Sequence, residues 1–224
     1  MHDLASLPEI DKFEWIGAGC ARLPIAVDAL QVRAEVDALP AELWGSRGGR
    51  GGVHDRAEAI WLRGYAPAER RPEIDEREPF ARLPTLRRLV METIPATPLR
   101  CVLARLAAGA VVPAHADSGA YFVRTLRFHV AVTTSPAVTM YADGHVYHMA
   151  PGEVWALNNA AIHGVLNDDP ALPRTHLIVD FLPSGPLREL LDRADRGLGV
   201  PVPEVTARFE AIYRAGLAQE TAPR

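Results

Sequence analysis

Residues 126–157 read LRFHVAVTTSPAVTMYADGHVYHMAPGEVWAL, and the fold class follows from this stretch. Short segments rich in β-branched and aromatic residues alternate with segments rich in Gly, Pro, Ser and Asp, which is typical of strands joined by turns. The dipeptide Asp143-Gly144 stands between Val138–Tyr141 and Val146–Met149. An Asp-Gly pair between two such segments predicts a type I′ hairpin, so the stretch is predicted to be antiparallel β-structure.

The same pattern continues on both sides of this stretch. The predicted strands are Leu99–Leu106, Val111–His115, Leu126–Thr134, Val138–Tyr141, Val146–Met149, Glu153–Leu157, Ile162–Leu166 and Thr175–Leu182. About eight short strands with regular turns indicate a sandwich or a barrel. We therefore expect a mainly β fold in which two sheets face each other.

Helical patterns flank the strands. The segments with apolar residues at helical spacing are Ala26–Leu39, Leu83–Ile94, Pro186–Arg193 and Pro203–Leu217. No linker separates these segments from the strands, so we expect a single domain. Its parts would be a helical and loop region at 1–97, a β core at 98–183 and C-terminal helices at 184–224.

Composition and charge argue against several classes of protein. The chain has 224 residues, of which 48% are hydrophobic, and it contains no run of about 18 apolar residues that could cross a membrane. A formal net charge of −4 argues against binding to nucleic acid or to an anionic membrane surface. Cys20 and Cys101 form no CxxC motif, and Met1-His2-Asp3 does not begin a secretory signal. We therefore expect a cytoplasmic protein without nucleic-acid or membrane partners.

The histidines are concentrated in the predicted β core, where six of the eight lie between residues 115 and 176. In His115-Ala116-Asp117 an extended backbone would point the imidazole and the carboxylate to the same side. His163 follows on a later predicted strand. Two histidines and one carboxylate are the facial triad of non-haem Fe(II) oxygenases, which leaves coordination positions open for a 2-oxo acid and dioxygen. His115, Asp117 and His163 are therefore candidate metal ligands and catalytic residues.

Two predicted strands carry Arg and His on the same face. Strand alternation separates Arg127 and His129 from Leu126, Phe128, Val130 and Val132, and it separates Arg174, His176 and Asp180 from Thr175, Leu177, Val179 and Phe181. A polar face on solvent is one explanation. A polar cavity inside the barrel, with helices covering the apolar faces, is the other, and Arg174 could then bind a distal carboxylate through two hydrogen bonds.

From about Val102 to Pro183 the chain resembles the aspartyl/asparaginyl β-hydroxylase family, which includes small bacterial proline hydroxylases. The matching motifs are His115-Ala116-Asp117, Arg127-Phe128-His129, Gly152-Glu153-Val154-Trp155, Ile162-His163, and Arg174-x-His176-Leu177 running into Val179-Asp180. The resemblance implies a double-stranded β-helix, or jelly-roll, core. It also implies an Fe(II)- and 2-oxoglutarate-dependent dioxygenase.

The resemblance further implies roles for individual residues. His115, Asp117 and His163 would ligate iron, and Arg174 would pair with the C5 carboxylate of 2-oxoglutarate. Arg127 and His129 would support the C1 end of 2-oxoglutarate, whereas His176 would either contact it or serve as a structural hydrogen-bonding group. Asp117 makes the chain more similar to the bacterial members that act on small molecules, because animal members lack this carboxylate. Ala104 stands where some members have a serine that helps to hold the cosubstrate.

Candidate substrate contacts lie outside these motifs. Tyr121 and Arg124 follow the HxD motif in a predicted loop over the cavity. Arg47 and Arg50 lie in the glycine-rich segment WGSRGGRGGVH at 44–54, which is either a plain surface loop or a mobile flap over the substrate.

The expected activity is hydroxylation of an unactivated C–H bond of an amino acid, with release of succinate and CO₂. The amino acid would be free or a peptide residue such as Asp, Asn or Pro, and Fe(II), 2-oxoglutarate and O₂ would be required. One alternative is a cupin-type metal-dependent isomerase or hydrolase, which would not need Arg174 as an anion clamp. Another is a non-catalytic jelly-roll binding module, which would tolerate the loss of His115 or Asp117.

Overall fold

The computed structural model describes residues 6–47, 53–65 and 74–221. The strands, in chain order, are β1 (Cys20–Ala26), β2 (Ser46–Arg47), β3 (Ala57–Arg63), β4 (Pro98–Leu106), β5 (Val111–His115), β6 (Leu126–Thr133), β7 (Val138–Ala142), β8 (His145–Tyr147), β9 (Glu153–Leu157), β10 (His163–Asn167), β11 (Arg174–Phe181) and β12 (Val200–Pro201). They form a seven-stranded sheet with the order β1-β9-β6-β11-β4-β3-β2 and a five-stranded sheet with the order β12-β8-β7-β10-β5. Every pairing between them is antiparallel, which confirms the predicted mainly β fold with two sheets.

The structure corrects the expectation that residues 1–97 contain only helices and loops. Strands β1, β2 and β3 come from this region and form both edges of the seven-stranded sheet. In β3, Ile60 and Leu62 are buried in the hydrophobic core, whereas Glu58, which shares their face of the strand, is exposed. The segment is short, its burial does not follow a clear period of two, and its partner β4 lies about forty residues away, so no local signal indicated the pairing.

The helices are α1 (Lys12–Trp15), α2 (Ala29–Asp37), α3 (Glu78–Ala81), α4 (Pro84–Arg88), α5 (Gly185–Asp192) and α6 (Pro203–Thr221). Helix α2 begins at Ala29 rather than at Ala26, because Ala26 still belongs to β1 and the Asp28 side chain caps the helix by accepting a hydrogen bond from Gln31 N. The predicted helix at 83–94 is α4, continued by a wider π-helical turn at Leu89–Thr93. No helix in the described part of the chain is long and apolar enough to span a membrane.

The main hydrophobic core lies between the outer face of the seven-stranded sheet and the helices. Leu126, Phe128, Val130 and Val132 of β6 are buried there together with Val32 and Val36 of α2, Leu86 of α4, and Leu187 and Leu190 of α5. This confirms the predicted outward direction of these four β6 side chains. Neighbouring residues in a strand point to opposite faces. The side chains of Arg127 and His129 therefore point into the space between the sheets.

The outer face of the five-stranded sheet is covered by α6. Phe209 of α6 is buried and stacks on Tyr141 of β7, with ring centroids 4.7 Å apart. Gly164 makes this close approach possible, because a Cβ at this position would lie 2.6 Å from Phe209 Cε1 and 2.9 Å from Val112 O. The glycine directly follows His163, so helix packing and the position of this histidine are determined together.

The helix-covered outer face can be tested with Phe128→Ala. We expect the substitution to lower the free energy of unfolding by about 3–5 kcal/mol, because it leaves a cavity in the main core. The matched control is Leu30→Ala on α2, where the side chain is 84% exposed and the expected change is within about 0.5 kcal/mol. Urea unfolding of the three proteins measures both values. Equal stabilities of the two variants would contradict the packing.

Candidate metal centre

Three predicted ligands from separate parts of the chain lie together between the sheets. His115 at the end of β5 is paired with His163 at the start of β10, and their ring centroids are 4.4 Å apart. Asp117 lies two residues after His115 and points to the same side. One ligand atom from each of the three residues lies within 4.8 Å of the other two, and this is the one such group among the described residues.

Backbone carbonyls determine the orientation of both imidazoles. His115 Nδ1 lies 2.8 Å from Pro113 O, and His163 Nδ1 lies 3.0 Å from Ala161 O. A carbonyl oxygen can only accept, so Nδ1 of each ring carries the proton and Nε2 carries the lone pair that a metal ion would use. Burial, together with the neighbouring His115, lowers the pKa of His163 to about 4, so this imidazole is neutral near pH 7.

Asp117 is held by two donors on one of its oxygens. Oδ2 accepts hydrogen bonds from Arg127 Nη1 at 2.6 Å and Asn159 Nδ2 at 2.9 Å. Oδ1 lies on the histidine side, 3.8 Å from His115 Nε2. Burial alone would raise the pKa of Asp117, but Arg127, His163 and the Asn159 hydrogen bond more than offset this and hold it well below its usual range. The carboxylate is therefore ionised, with Oδ1 facing the two imidazoles.

Two further residues support Asp117 and were not identified from the sequence. Asn159 is fully buried, and its backbone carbonyl also accepts a hydrogen bond from Asp117 N at 2.9 Å. Lys12 of α1 donates from Nζ to Asn159 Oδ1, and burial lowers the pKa of this lysine to about 8. Lys12 is the only lysine of the chain, but neither its rarity nor any spacing could have placed it beside a loop about 150 residues away.

Arg127 lies behind Asp117 and joins it to a second carboxylate. Its Nε and Nη2 donate to Asp180 Oδ1 and Oδ2 at 2.8 and 3.0 Å, while Nη1 donates to Asp117. Three of the five N–H groups of the guanidinium are thus engaged by protein carboxylates. The structure therefore gives Arg127 a role in positioning Asp117. Its predicted contact with the C1 end of 2-oxoglutarate stays a prediction that involves at most the two remaining N–H groups.

A cluster of buried nitrogens without acceptors lies further along the inner face. Arg174 is only 4% exposed, and no carboxylate of the described chain lies within 4 Å of it. Its Nη2 donates to His176 Nδ1 at 2.8 Å, but its Nε has no partner among the described residues, nor has His176 Nε2, nor either ring nitrogen of His129. Burial lowers the pKa of Arg174 to about 9. Buried polar atoms are nearly always satisfied, so this cluster is typical of a pocket that binds an anionic or hydrogen-bonding ligand.

The segment after the HxD motif, which was predicted to form a loop over the cavity, makes hydrogen bonds to other parts of the protein. Tyr121 is 2% exposed and donates to Asp180 Oδ2 at 3.1 Å, while Arg124 donates to Leu7 O at 2.8 Å and to Ala120 O at 2.9 Å. A single 3₁₀ turn over Phe122–Arg124 packs this segment against the N-terminal residues, which the sequence pattern did not indicate. Both side chains are therefore held by contacts within the protein, and their predicted role as substrate contacts stays a prediction.

The glycine-rich segment at 44–54 brings His54, rather than the expected Arg47 or Arg50, close to a candidate metal ligand. Arg47 lies in β2, where its backbone pairs with that of Glu58, but its side chain is not described. Arg50 lies outside the described residues. His54, just before β3, lies edge-on to His115 with ring centroids 5.6 Å apart. Sequence spacing gave no reason to place His54 beside the metal ligands.

The sequence matches a known protein family. The family model described as Aspartyl/Asparaginyl beta-hydroxylase matches residues 28–183, which is more than half of the chain. The chain belongs to this family. The match confirms the resemblance drawn on residues 102–183 and extends it back to residue 28, so that it includes β2 and β3 but not β1.

A curated member of the same group is also similar in sequence. L-proline cis-3-hydroxylase 2 from Streptomyces sp is 31% identical over 143 residues, which cover 59% of this chain and 48% of the relative. The match thus spans about half the length of that protein.

Two solved structures have a partial likeness to this chain. A Pseudomonas putida prolyl-4-hydroxylase is 20% identical, with 81% of this chain and 100% of that chain covered and a TM-score of 0.46. HygX from Streptomyces hygroscopicus, solved with nickel and 2-oxoglutarate bound, is 15% identical, with 78% and 85% covered and a TM-score of 0.47.

The support of Asp117 by Asn159 can be tested with Asn159→Ala. We expect the affinity for Fe(II) or Mn(II) to fall about 10- to 100-fold, because outer-shell partners of metal ligands typically contribute this much. The control is Ala160→Ser at the exposed neighbouring position, which should bind metal as the unaltered protein does. Metal titration followed by calorimetry gives both constants. An unchanged affinity of the Asn159 variant would contradict the assigned role.

Proposed function

We propose that this protein is an Fe(II)- and 2-oxoglutarate-dependent hydroxylase that acts on an unactivated C–H bond of an amino acid, free or as a peptide residue such as Asp, Asn or Pro. The observation that carries the proposal is the presence, between the two sheets, of a His₂Asp cluster and of the buried Arg174 guanidinium, whose Nε has no partner among the described residues. The His₂Asp cluster suits a metal ion, and the buried guanidinium suits the distal carboxylate of 2-oxoglutarate. An enzyme of this kind must bind both together.

The ligand cluster suits a first-row transition metal. Two neutral imidazole nitrogens and one carboxylate oxygen on a single side would leave the remaining positions open for other ligands. His115, Asp117 and His163 would hold the ion. Bound Fe(II) with 2-oxoglutarate supplies the oxidation of the C–H bond by O₂, which yields hydroxylated product, succinate and CO₂.

Arg174 suits the distal carboxylate of 2-oxoglutarate. A buried cation without a partner is costly, and a carboxylate bound through two parallel hydrogen bonds would offset that cost. His176 Nδ1 accepts from Arg174 Nη2 and so orients the guanidinium, which accounts for His176 as a positioning residue. His129 lies with its ring centroid 5.8 Å from that of His176, and its one N–H group would donate to a cosubstrate oxygen.

The remaining residues of the cavity organise the reaction. Arg127 and Asn159 bind Asp117 Oδ2 and so keep Oδ1 directed at the metal position. Burial and positively charged Arg174 hold the pKa of His129 well below its ordinary value, so its neutral ring can donate through only one nitrogen. Apolar residues around Met140, Trp155 and Val165 fill the inter-sheet space and exclude water from this part of the barrel.

Two further observations agree with the proposal. The relative described as a proline hydroxylase supports a small amino-acid substrate, although only about half of its length is matched. Cys20 and Cys101 are both free and buried, which agrees with a reducing compartment such as the cytoplasm.

The proposal is tested with Arg174→Gln and Arg174→Lys. The Gln variant should bind 2-oxoglutarate to the Mn(II)-loaded protein about a hundred- to several-thousand-fold more weakly, because removing one partner of a buried charge pair costs about 3–5 kcal/mol. Lys keeps the charge but loses the bidentate geometry, so an intermediate constant is expected. Calorimetry measures these constants, and succinate formation in the presence of Fe(II) follows the activity.

The matched control is Arg105→Gln, on the outer side of β4, where Arg105 pairs with Glu58. It should bind 2-oxoglutarate normally, and all variants should keep their metal affinity. A protein that binds the metal but takes up no 2-oxoglutarate would contradict the proposal and favour the isomerase or hydrolase alternative.

A further inference from the structure

A second buried arginine lies on the inner face of the seven-stranded sheet, away from Arg174. Arg100 of β4 is 9% exposed. Its neighbour Cys101 pairs with Val179 across the β4–β11 ladder, and Asp180 pairs with Arg127 across the β11–β6 ladder. Arg100, Asp180 and Arg127 therefore form a row across three adjacent strands.

The Arg100 guanidinium forms an ion pair with Asp180, but its Nε makes no hydrogen bond within the described chain. This Nε is buried, and Asp180 Oδ2 is 3.7 Å away from it. Asp180 already accepts two hydrogen bonds from Arg127 and one from Tyr121. Arg127 is shared between Asp180 and Asp117, so the Arg100 guanidinium has only the longer ion-pair contact with Asp180.

Aromatic rings surround Arg100 without supplying a hydrogen-bond acceptor for its charge. Its Cζ lies 4.5 Å from the ring centroid of Tyr121, 5.4 Å from that of Phe122 and 5.7 Å from that of Trp61. Cation–π contacts stabilise a guanidinium but leave its N–H groups available. Trp61 and Phe122 are partly exposed, so this group of rings around the cation reaches the protein surface.

The Arg100 position is linked to the candidate metal ligands through Arg127. Arg127 of the same row binds Asp117 directly. Arg174 lies six residues before Asp180 on β11, which at about 3.3 Å per residue places the two Cα atoms roughly 20 Å apart. The inner face therefore carries two buried cationic positions, and a cosubstrate held by Arg174 leaves the Arg100 position for another ligand.

We propose that Arg100 binds the α-carboxylate of the substrate and that Trp61 and Phe122 contact its hydrocarbon part. The substrate is then a free amino acid, because a residue within a peptide has no α-carboxylate to offer. This inference rests on the proposed function and narrows it to one substrate class. Arg100 is a specificity-determining residue in this account, separate from the residues assigned to iron and 2-oxoglutarate.

The test compares free amino acids with their amides. The Fe(II)-loaded protein is supplied with 2-oxoglutarate and O₂ and with each proteinogenic L-amino acid, including L-proline, or its C-terminal amide, such as L-prolinamide. Succinate formation and the mass gain of one oxygen are measured. At least one free amino acid should stimulate succinate formation. Its kcat/KM should exceed that of its amide by about a hundredfold or more, because the amide cannot form the desolvated charge pair with Arg100.

The variant Arg100→Gln shows whether Arg100 causes this preference. It should lower kcat/KM for the acid by about a hundredfold, mainly through KM, but leave the amide nearly unaffected, so that the preference for the acid disappears. Arg100→Lys should recover part of the preference, and Arg105→Gln on the opposite face of β4 should retain all of it. Unchanged binding of 2-oxoglutarate to the Mn(II)-loaded variant shows that it is folded.

The outcomes separate this inference from the proposed function. If the metal-loaded protein does not bind 2-oxoglutarate, the proposed function itself is wrong. If it binds 2-oxoglutarate but is stimulated only by amides or peptides, or by no free amino acid, the inference is overturned. An Arg100→Gln variant that still prefers the acid as strongly as the unaltered protein does would also overturn it.

Discussion

The arrangement of the site depends on one buried interaction, the Arg127 guanidinium between Asp117 and Asp180. It ties the loop after β5, which carries a candidate metal ligand, to the middle of the seven-stranded sheet. Removing either carboxylate would leave part of a buried charge uncompensated, which typically costs about 3–5 kcal/mol. Asn159 and Lys12 extend the same network to the β9–β10 connection and to the N-terminal helix. The HxD segment is therefore oriented by elements from the whole described chain.

The two faces of the seven-stranded sheet differ in composition and in what they contact. Leucine, valine and phenylalanine side chains pack beneath the helices, and this burial holds the arginines and histidines on the inner face. The inner face then carries two buried guanidiniums, Arg174 and Arg100, whose Nε atoms make no hydrogen bond within the described chain. Ligands that bring carboxylates would balance this charge. In our account a dicarboxylic cosubstrate and an amino acid satisfy the two positions on either side of one metal ion.

Strand periodicity accounts for what could be predicted from the sequence. The period of two placed Arg127, His129, Arg174 and His176 on an inner face, and the HxD motif with His163 indicated the ligand set. Residues that depend on distant pairing were missed, because Lys12, His54, Arg100 and Asn159 have no motif of their own and reach the cavity through the fold. Tyr121 and Arg124 were predicted to lie in a loop over the cavity, but nothing local showed that this segment packs against Leu7 and Asp180.

A crystal structure of the protein with Mn(II) and 2-oxoglutarate, prepared without oxygen, tests the central claim most directly. The account predicts one ion at about 2.0–2.3 Å from Nε2 of His115, Oδ1 of Asp117 and Nε2 of His163. It also predicts the distal carboxylate of 2-oxoglutarate on Arg174, with Arg127 still bound to Asp117 Oδ2. An ion held by other residues, or a 2-oxoglutarate whose distal carboxylate lies on Arg100, would contradict the account.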